Sequence, residues 1–384
     1  MDKKRMKHIT VISTSFPDIS FQEGQEAAGT FVYDFVYELS HHISVTIITP
    51  GSKTKSLEID NLKIEYFAVP SLPLSLLKAV NPSHWLKIIK TLKAGQDKVN
   101  EIVSKTKTDH IFALWVLPSG FWAKRAEKKH KVPYSLWALG SDIWSLGKIP
   151  VIRSVLQSVL QGSKNRFADG YELAADVKKI SGLDCKFLPS SRKLIRKKKK
   201  KLVSHPPYKL AFLGRWHPHK GIDLLLESLT YLDEKDWGKI SEIRICGGGP
   251  LDKVVHKEVK KMQNKGLPLT LRGYLNRAAA TELLLWADYV LLPSRIESIP
   301  VIFSDAMQTD CPLISTPIGD LPRLLEEENI GVLAETTTPL AFSQAIKQAL
   351  EQEPTNYKDG LAIMRRGFSV EVAARELLAL LFED

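Results

Sequence analysis

The chain has 384 residues, more than one compact core usually holds, which suggests two domains of ordinary size. Apolar residues make up 44% and charged residues 25%, as in soluble globular proteins, and no apolar run approaches the roughly 20 residues of a membrane-spanning helix. The formal net charge of +11 favours anionic partners, namely nucleic acid, anionic lipid or a phosphate-bearing substrate.

The first half of the chain alternates short β-rich runs with longer helical patterns. This alternation predicts parallel sheets with crossover helices. The predicted strands are 8–14, 44–49, 62–68, 110–114, 134–138 and 185–188, and the predicted helices are 29–41, 83–105, 119–130 and 151–161. The basic start of the chain precedes an alternating segment, 9–12, that is too short for the apolar region of a signal peptide. We therefore expect a cytoplasmic protein.

A composition break follows, with prolines at both ends, several serines and a lysine run. It predicts a basic linker, 191–207, between an N-terminal domain, 1–190, and a C-terminal domain, 208–369. The alternation then resumes with strands at 209–214, 242–247, 269–273, 289–292 and 312–315, and helices at 222–232, 251–264, 277–286 and 299–309. A last apolar helix, within 370–384, should pack back on the body of the protein.

These patterns predict an α/β fold of two Rossmann-like, doubly wound domains that face a cleft, because such sheets bind ligands at the carboxyl ends of their strands. Three cysteines without CxxC spacing predict reduced core thiols rather than a disulfide framework or a zinc site. They are Cys185, Cys246 and Cys311.

Segment 213–221 places two cations just past the end of a predicted strand. Arg215 and Lys220 follow Gly214, where open α/β sheets bind ligands. Cations held there can stabilise the charge that develops on a departing nucleoside diphosphate. Two solvated loop cations are the alternative for this segment taken alone.

Segment 293–305 supplies two carboxylates. Glu297 comes directly before a predicted helix, whose free N–H groups and dipole favour a phosphate. The first turn of that helix is expected to contain Ser298, Ile299 and Pro300, and Val301 is a further candidate donor-binding residue. Asp305 lies eight residues beyond Glu297, roughly 12 Å at helical rise. Glu297 could then hold a sugar and Asp305 the ribose hydroxyls; a helix cap and a surface aspartate are the alternative.

Two further strand ends carry small or aromatic residues. Gly248 lies in a run of three glycines that would let backbone approach a ligand, although a plain tight turn is equally consistent with the pattern. Gly273, Tyr274 and Leu275 end the next strand and could flank a nucleobase.

In order and spacing, these four segments resemble the C-terminal signature of retaining glycosyltransferases of family 4, which have the GT-B fold. The resemblance implies sugar transfer from a nucleotide-diphosphate donor to a hydroxyl with retained anomeric configuration, by front-face departure and attack without a covalent enzyme intermediate. The family motif ends in Glu where this chain has Asp305. The resemblance implies that the catalytic residues of this chain are Glu297, Arg215, Lys220 and, in the N-terminal half, Asp142.

The N-terminal half resembles the family as well. Phe16 and Gly29 correspond to the loop that approaches the donor phosphate and the acceptor. Segments 115–120 and 139–144 match those that line the acceptor side, with Trp115, Pro118, Ser119, Gly140 and Ser141. The family usually has His where Leu139 stands. Asp142 is a candidate acceptor-side polar group or, alternatively, a helix N-cap.

The partners follow from charge and motifs. No DxD triplet and no Cys/His cluster with metal-site spacing occurs, so we expect no metal and no cofactor, with Arg215 and Lys220 replacing Mg²⁺. Helix 83–105 is amphipathic, basic and Trp-bearing, and with the basic run 196–201 it could lie on an anionic membrane; packing on its own sheet and a solvated linker are the alternatives. Nucleic acid is not expected, because no reading motif is present.

The sequence thus predicts a metal-independent glycosyltransferase of hexosyltransferase type, peripheral to the cytoplasmic membrane face, that acts on a glycan or lipid-linked acceptor in cell-surface polysaccharide or glycolipid biosynthesis. An epimerase or a phosphorylase-like enzyme is a minor alternative within the fold. A non-catalytic nucleotide-sugar or lipid-binding protein is the alternative from another class, supported by Leu139 and Asp305.

Overall fold

The computed structural model describes residues 6–17, 29–74, 77, 81–194 and 201–382. The chain divides into two compact units. Unit 1 comprises Met1–Pro189 together with Val370–Asp384, and unit 2 comprises Ser190–Ser369.

Unit 1 is built on a sheet that has eight strands within the described residues. These are β1 (His8–Ser13), β2 (Ser44–Gly51), β3 (Lys55–Ile59), β4 (Leu62–Ala68), β5 (His110–Leu114), β6 (Tyr134–Ala138), β7 (Arg166–Ala168) and β8 (Lys186–Phe187). Their order is β3-β4-β2-β1-β5-β6-β7-β8, and only the β3–β4 pair is antiparallel. Every residue of β1, β5 and β6 is buried, as expected for central parallel strands covered on both faces.

Helices cover both faces of this sheet. They are α1 (Thr30–Ser40), α2 (Trp85–Lys105), α3 (Phe121–His130), α4 (Ser141–Trp144), α5 (Pro150–Gln161) and α6 (Tyr171–Ser181). One apolar cluster joins α2, α3, α5 and α6 to the sheet, and another joins α1 to it. The two clusters are what the right-handed crossovers of a doubly wound sheet produce.

Unit 2 is built on a fully parallel sheet that has six strands in the described part of the chain. They are β9 (Tyr208–Arg215), β10 (Ile240–Gly248), β11 (Leu269–Arg272), β12 (Tyr289–Leu292), β13 (Leu313–Ser315) and β14 (Gly331–Leu333), in the order β11-β10-β9-β12-β13-β14. The helices are α7 (Ile222–Ser228), α8 (Glu234–Gly238), α9 (Asp252–Gln263), α10 (Arg277–Trp286), α11 (Val301–Gln308), α12 (Leu321–Glu328), α13 (Pro339–Leu350) and α14 (Lys358–Gly367).

Helix α15 (Val370–Phe382) belongs to unit 1, although unit 2 directly precedes it in the chain. Ala373, Ala374 and Leu377 are buried in the same apolar cluster as Phe35 of α1. The main chain of Phe382 accepts a hydrogen bond from a lysine before β1, at 3.1 Å. Unit 1 is therefore assembled from two separated stretches of the chain.

The predicted α/β fold with two Rossmann-like sheets is confirmed. The boundary of the predicted linker differs from the sequence prediction. Residues 191–194, predicted as the start of a linker, belong to unit 2, where Arg192 is bound to Asp305. The basic run 196–201 lies outside the described residues except for Lys201, so its predicted linker and membrane roles are not addressed by the structure.

Candidate functional site

The four sequence segments of unit 2 meet at one edge of its sheet. Strands β11, β10, β9 and β12 are consecutive neighbours and parallel, so their carboxyl ends lie side by side. Gly214 and Arg215 end β9, and Gly248 ends β10. Tyr274 follows β11, and segment 293–300 follows β12. This edge is where open α/β sheets bind ligands.

Arg295 fastens segment 293–297 to segment 213–221. Its backbone N–H donates to the carbonyl of His219 at 2.8 Å, and its Nη1 donates to the carbonyl of Pro218 at 2.7 Å. The same guanidinium forms a bidentate pair with Asp223, at the start of α7, with distances of 2.8 and 2.9 Å. Such fork-shaped pairing fixes geometry as well as charge. The sequence analysis did not single out Arg295, although it lies inside the motif.

Gly221 lets the two segments approach each other. Its φ of +67° lies in the left-handed region, and a Cβ added there would lie 1.8 Å from the carbonyl oxygen of Pro293. Any side chain would therefore push the segments apart.

The close approach of the two segments brings together Lys220, which the sequence analysis assigns to the diphosphate, and Glu297, which it assigns to the sugar. The Nζ of Lys220 donates to Oε1 of Glu297, and both side chains are partly buried. Arg215 is exposed, and its guanidinium makes no hydrogen bond or ion pair with another described residue. Lys220 and Glu297 are thus brought into direct contact, while Arg215 faces solvent at the same strand edge.

The start of α11 corrects the sequence prediction. The helix begins at Val301 with Pro300 in the capping position, so Ser298 and Ile299 precede the helix and are not in its first turn. The buried hydroxyl of Ser298 has no hydrogen-bond partner within the described part of the chain. No side chain caps the helix. The N–H of Phe303 donates to the carbonyl of Pro300 at 2.8 Å, so the N–H groups of Val301 and Ile302 are the ones that an anion would meet.

The glycine run at the end of β10 packs closely on its neighbours. The carbonyl of Gly248 accepts hydrogen bonds from the backbone N–H of Trp216 at 2.8 Å and from the hydroxyl of Tyr274 at 2.7 Å. A Cβ on Gly248 would lie 2.7 Å from the Tyr274 ring. That ring is 50% exposed, so it is held in place and still presents surface to a planar ligand. Gly273 is exposed and Leu275 is half-buried beside it.

Asp305 is fully buried, which corrects the alternative of a surface aspartate. Its Oδ1 accepts from Nε of Arg192 at 3.2 Å, and its Oδ2 accepts from Nη2 of the same residue. The carbonyl of Arg192 in turn accepts from the side-chain amide of Gln308 at 2.7 Å. Direct binding of ribose by Asp305 stays a prediction, because both carboxylate oxygens already have a partner.

Sequence reasoning missed Arg192 because it fell in a segment predicted to be a linker. One signal could have found it. Asp305 lies between apolar residues of a helix, Phe303 and Ala306, and a carboxylate buried there needs a cationic partner from elsewhere in the chain.

In unit 1, the candidate residues also follow adjacent parallel strands. Phe16 and Gly29 follow β1; Trp115, Pro118 and Ser119 follow β5; Gly140, Ser141 and Asp142 follow β6. Gly29 has a φ of +83°, and a Cβ there would lie 2.9 Å from the main chain of Ser15 and Phe16. The hydroxyl of Ser119 is buried and without a partner among the described residues. The predicted acceptor-side residues therefore lie at the carboxyl edge of this sheet.

Asp142 differs from both sequence interpretations. It is only 2% exposed, so it is not an accessible acceptor-side group, and Gly140 rather than Asp142 is the N-cap of α4. Its carboxylate accepts from the backbone N–H of Val116 at 2.6 Å and of Leu139 at 3.3 Å. Burial raises the pKa of Asp142 from its ordinary value of 3.8 to about 6, against the opposing effect of these N–H donors. Asp142 joins the segments that follow β5 and β6.

Other predicted features concern cysteines, metals and membrane spans. Cys246 and Cys311 are buried and Cys185 is half-buried, all as free thiols. Burial raises the pKa of Cys246 to about 11. In the ranges that the structure describes, no three His, Cys, Asp or Glu side chains are grouped so as to hold a metal ion, and no helix is long and apolar enough to cross a membrane.

Comparison with solved structures identifies the fold class of this chain. Its two-sheet α/β fold is GT-B, the fold of its glycosyltransferase structural neighbours. An Anabaena protein solved with UDP, Alr3699/HepE, matches with a TM-score of 0.70 and 14% identity over 98% of this chain and 99% of its own. A lipopolysaccharide outer core galactosyltransferase, WaaB, matches with a TM-score of 0.64 and 14% identity over 98% and 99%.

Sequence comparison is more specific for unit 2. Residues 195–360 match the family model described as Glycosyl transferases group 1. The D-inositol 3-phosphate glycosyltransferase of Corynebacterium diphtheriae is 27% identical over 175 residues, which are 44% of this chain and 40% of that relative. The chain thus matches less than half the length of this curated relative. Unit 2 carries a glycosyltransferase group 1 domain.

Proposed function

We propose that the protein is a retaining glycosyltransferase of family 4. It transfers a sugar from a nucleotide-diphosphate donor to a hydroxyl of a glycan or lipid-linked acceptor, in cell-surface polysaccharide or glycolipid biosynthesis. Unit 2 binds the donor, and the residues that follow β1, β5 and β6 of unit 1 serve the acceptor. Relatives named as glycosyltransferases and a structural neighbour named as a lipopolysaccharide outer core galactosyltransferase support this assignment.

The observation that carries the proposal is the meeting of Lys220 and Glu297 beside the start of α11. A diphosphate there would meet the ammonium of Lys220, the first N–H groups of α11 and the buried hydroxyl of Ser298, which has no hydrogen-bond partner among the described residues. Arg215 adds a second, exposed cation at the same strand edge. These donors favour a dianionic group, and Glu297 is then placed to accept hydrogen bonds from hydroxyls of the attached sugar.

The chemistry that the site supports is departure of a nucleoside diphosphate. As the glycosidic bond to phosphate breaks, negative charge grows on the leaving oxygens, and Lys220 and Arg215 stabilise it without moving far. Two cations in this position do what a divalent ion does in other transferases, so we propose that catalysis is metal-independent. Tyr274, held against Gly248, offers a ring face to the base.

Ligand-induced thermal stabilisation tests the donor proposal. The full chain is heated with UDP, GDP, ADP and their sugar conjugates, each with EDTA and with Mg²⁺. A ligand at about 100 times its dissociation constant adds about 2.7 kcal/mol to the free energy of unfolding. We expect stabilisation by nucleotides of one base, equal with EDTA and with Mg²⁺. No stabilisation by any nucleotide would contradict the proposal.

Variants locate the binding. Arg215→Ala and Lys220→Ala should each weaken nucleotide affinity by about 10-fold to 100-fold, since a hydrogen bond to a charged group contributes about 1.5–3 kcal/mol. Lys253→Ala, which removes an exposed lysine from α9, is the matched control and should bind normally. Unchanged affinity in both site variants would remove the assignment of the diphosphate to these residues.

A non-catalytic nucleotide-sugar-binding protein of the same fold is the second candidate. One observation favours it: Asp142, expected among the catalytic residues, is buried and bonded to main-chain N–H groups. Leu139, in the position where the family usually has His, also favours the non-catalytic candidate. Turnover separates the candidates, because this protein would bind the nucleotide sugar but release no nucleoside diphosphate with any glycan or lipid-linked acceptor.

A further inference from the structure

Helix α2 of unit 1 uses only part of its length to pack on the sheet. Its buried residues begin at Thr91 and continue through Gly95 and Val99, at spacings of four that define one face. Gly95 lies against Trp122 of α3, where a Cβ would come within 2.4 Å of the ring, and the Trp122 indole N–H donates to the carbonyl of Leu92 at 2.9 Å. The anchoring of α2 is therefore in its middle and C-terminal turns.

The first turns of α2 expose large apolar side chains that this packing does not need. Leu86 is 64% exposed and lies opposite the buried face, and Ile89, at the flank of that face, is 62% exposed. Trp85, at the first position, is 54% exposed. Single exposed apolar residues are ordinary, but three within one turn and a half of a helix form a contiguous patch.

Lysines adjoin this patch, and carboxylates are absent from it. Leu86, Ile89, Lys90 and Lys93 have the i, i+3, i+4, i+7 spacing of a single helix face, and Lys87 lies at its side. All three lysines are exposed. The sequence contains no Asp or Glu from Asn81 to Gln96. We call Trp85, Leu86, Ile89, Lys87, Lys90 and Lys93 the α2 face.

We propose that the α2 face docks the protein on a bilayer surface rich in anionic lipid. A helix that lies in the interface plane buries apolar side chains at the boundary of the acyl chains, while its lysines meet lipid phosphates. Tryptophan is favoured at that depth because one end of its ring system is apolar and the other is polar. The α2 face has both components next to each other, which a protein partner of neutral surface would not require.

This docking does not depend on the proposed transfer activity, because the α2 face contains none of the candidate site residues. It would bring unit 1, which carries the acceptor-side candidates, to a surface where lipid-linked acceptors reside. An experiment can therefore contradict the membrane docking without contradicting the transfer activity, and the reverse.

Co-sedimentation with vesicles tests the docking. The full chain is mixed with vesicles of phosphatidylcholine alone and of phosphatidylcholine with about 40% phosphatidylglycerol, at about 0.05 M and about 0.5 M salt. We expect binding to the anionic vesicles, weakened by salt, and little binding to phosphatidylcholine alone. Absence of binding to the anionic vesicles at the lower salt concentration would overturn the proposal.

Two variants separate the components of the α2 face. Lys87→Gln with Lys90→Gln and Lys93→Gln should lower the vesicle partition coefficient on the order of 100-fold, since each lysine near an anionic surface contributes about fivefold. Leu86→Ser with Ile89→Ser should lower it on the order of tenfold. Both sets of side chains are exposed, so the thermal unfolding midpoint of each variant should match that of the parent chain.

The matched control for charge is Lys253→Gln with Lys257→Gln and Lys260→Gln, three exposed lysines at similar spacing on α9 of unit 2. The control for apolar surface is Val151→Ser with Val155→Ser, exposed on α5. Both controls should bind vesicles as the parent does. Equal losses in the α9 control and the α2 variant would show only a diffuse attraction by the net positive charge, and would overturn the proposal. If the α2 face instead bound a second copy of the chain, the protein would self-associate and Leu86→Ser with Ile89→Ser would abolish that association. This result would also overturn the proposal.

Discussion

Lys220 and Glu297 neutralise each other across 77 positions of sequence, at the point where the segments after β9 and β12 come together. The lysine was expected to bind a diphosphate and the glutamate a sugar. Their contact means that a diphosphate entering this site meets a lysine that already has a carboxylate partner. Binding must therefore either share the ammonium between the two or release the carboxylate toward the sugar.

Glu297→Gln should consequently strengthen the binding of a nucleoside diphosphate while it lowers turnover. Removing the competing charge frees Lys220, and a gain of about fivefold corresponds to the roughly 1 kcal/mol of a partly exposed ion pair. Calorimetric titration with UDP or the preferred nucleotide measures the affinity, and release of nucleoside diphosphate measures turnover. Glu327→Gln, which removes the exposed partner of Arg323 on α12, should change neither. Weaker binding by Glu297→Gln would show that the carboxylate supports the nucleotide instead of competing with it.

Arg192→Met should destabilise unit 2 strongly. It leaves the fully buried carboxylate of Asp305 without its cation, and loss of one partner of a buried pair costs about 3–5 kcal/mol. Urea denaturation at neutral pH measures the free energy of unfolding. The double variant Arg192→Met with Asp305→Asn should recover much of the loss. Arg323→Met, which breaks an exposed pair, should cost about 1 kcal/mol or less; an equally small cost for Arg192→Met would contradict the importance of the Arg192–Asp305 pair.

Gly221→Ala should abolish nucleotide-induced stabilisation. Two effects act there: the positive φ strains any L-residue by about 1–2 kcal/mol, and the new methyl group would collide with the Pro293 carbonyl. Gly182→Ala separates them, because Gly182 has a φ of +74° and no atom lies within 4 Å of the place its new methyl group would take. Thermal scans with and without nucleotide should show mild destabilisation for Gly182→Ala with its ligand response intact. The same mild effect for both variants would mean that the close approach of the two segments is not required.

The buried carboxyl of Asp142 should make stability fall as pH rises from about 4 to 6. Its pKa is raised from 3.8 in the unfolded chain to about 6 in the folded one, so the folded state holds a proton that the unfolded state has already released. The contribution is fully present below pH 3.8 and is lost as pH rises through 6, a difference of about 3 kcal/mol at most. Asp142→Asn should remove this slope in urea denaturation across that range.

Asp184→Asn provides a control of opposite sign. The Lys178 ammonium beside Asp184 holds the pKa of that exposed carboxyl below its usual range, so this group contributes stability above its unfolded pKa and loses it as pH falls. For Asp142→Asn, an unchanged pH dependence of the free energy of unfolding would contradict the prediction. It would show that Asp142 is ionised in the folded state without loss of stability.

The fold could be predicted from sequence because buried parallel strands such as β5 and β6 are short, mostly apolar runs flanked by helical patterns. Elements without that contrast were missed. Strand β3 is an antiparallel edge strand whose central residues are exposed, so burial imposes no pattern on it. Strand β7 has only three residues.

The candidate site could be predicted as far as local motifs reach. The motifs located Lys220 and Glu297 after the ends of two strands, but neither segment indicates which distant residue it contacts. The pairing of Arg192 with Asp305 joins residues 113 positions apart. The engagement of Asp142 with the Val116 main chain depends on the register of β5 and β6. The partners of these buried carboxylates follow from tertiary packing, which no spacing rule predicts.

The return of α15 to unit 1 has a consequence for the order of events at the ribosome. Unit 2 is contiguous and can close its sheet once residues 190–369 have emerged, whereas unit 1 lacks part of its apolar cluster until Leu377 and Leu381 are synthesised. The half of the molecule that is made first is therefore completed last. During synthesis, the surface of α1 that packs on α15 is uncovered until α15, encoded more than 300 codons downstream, has been made.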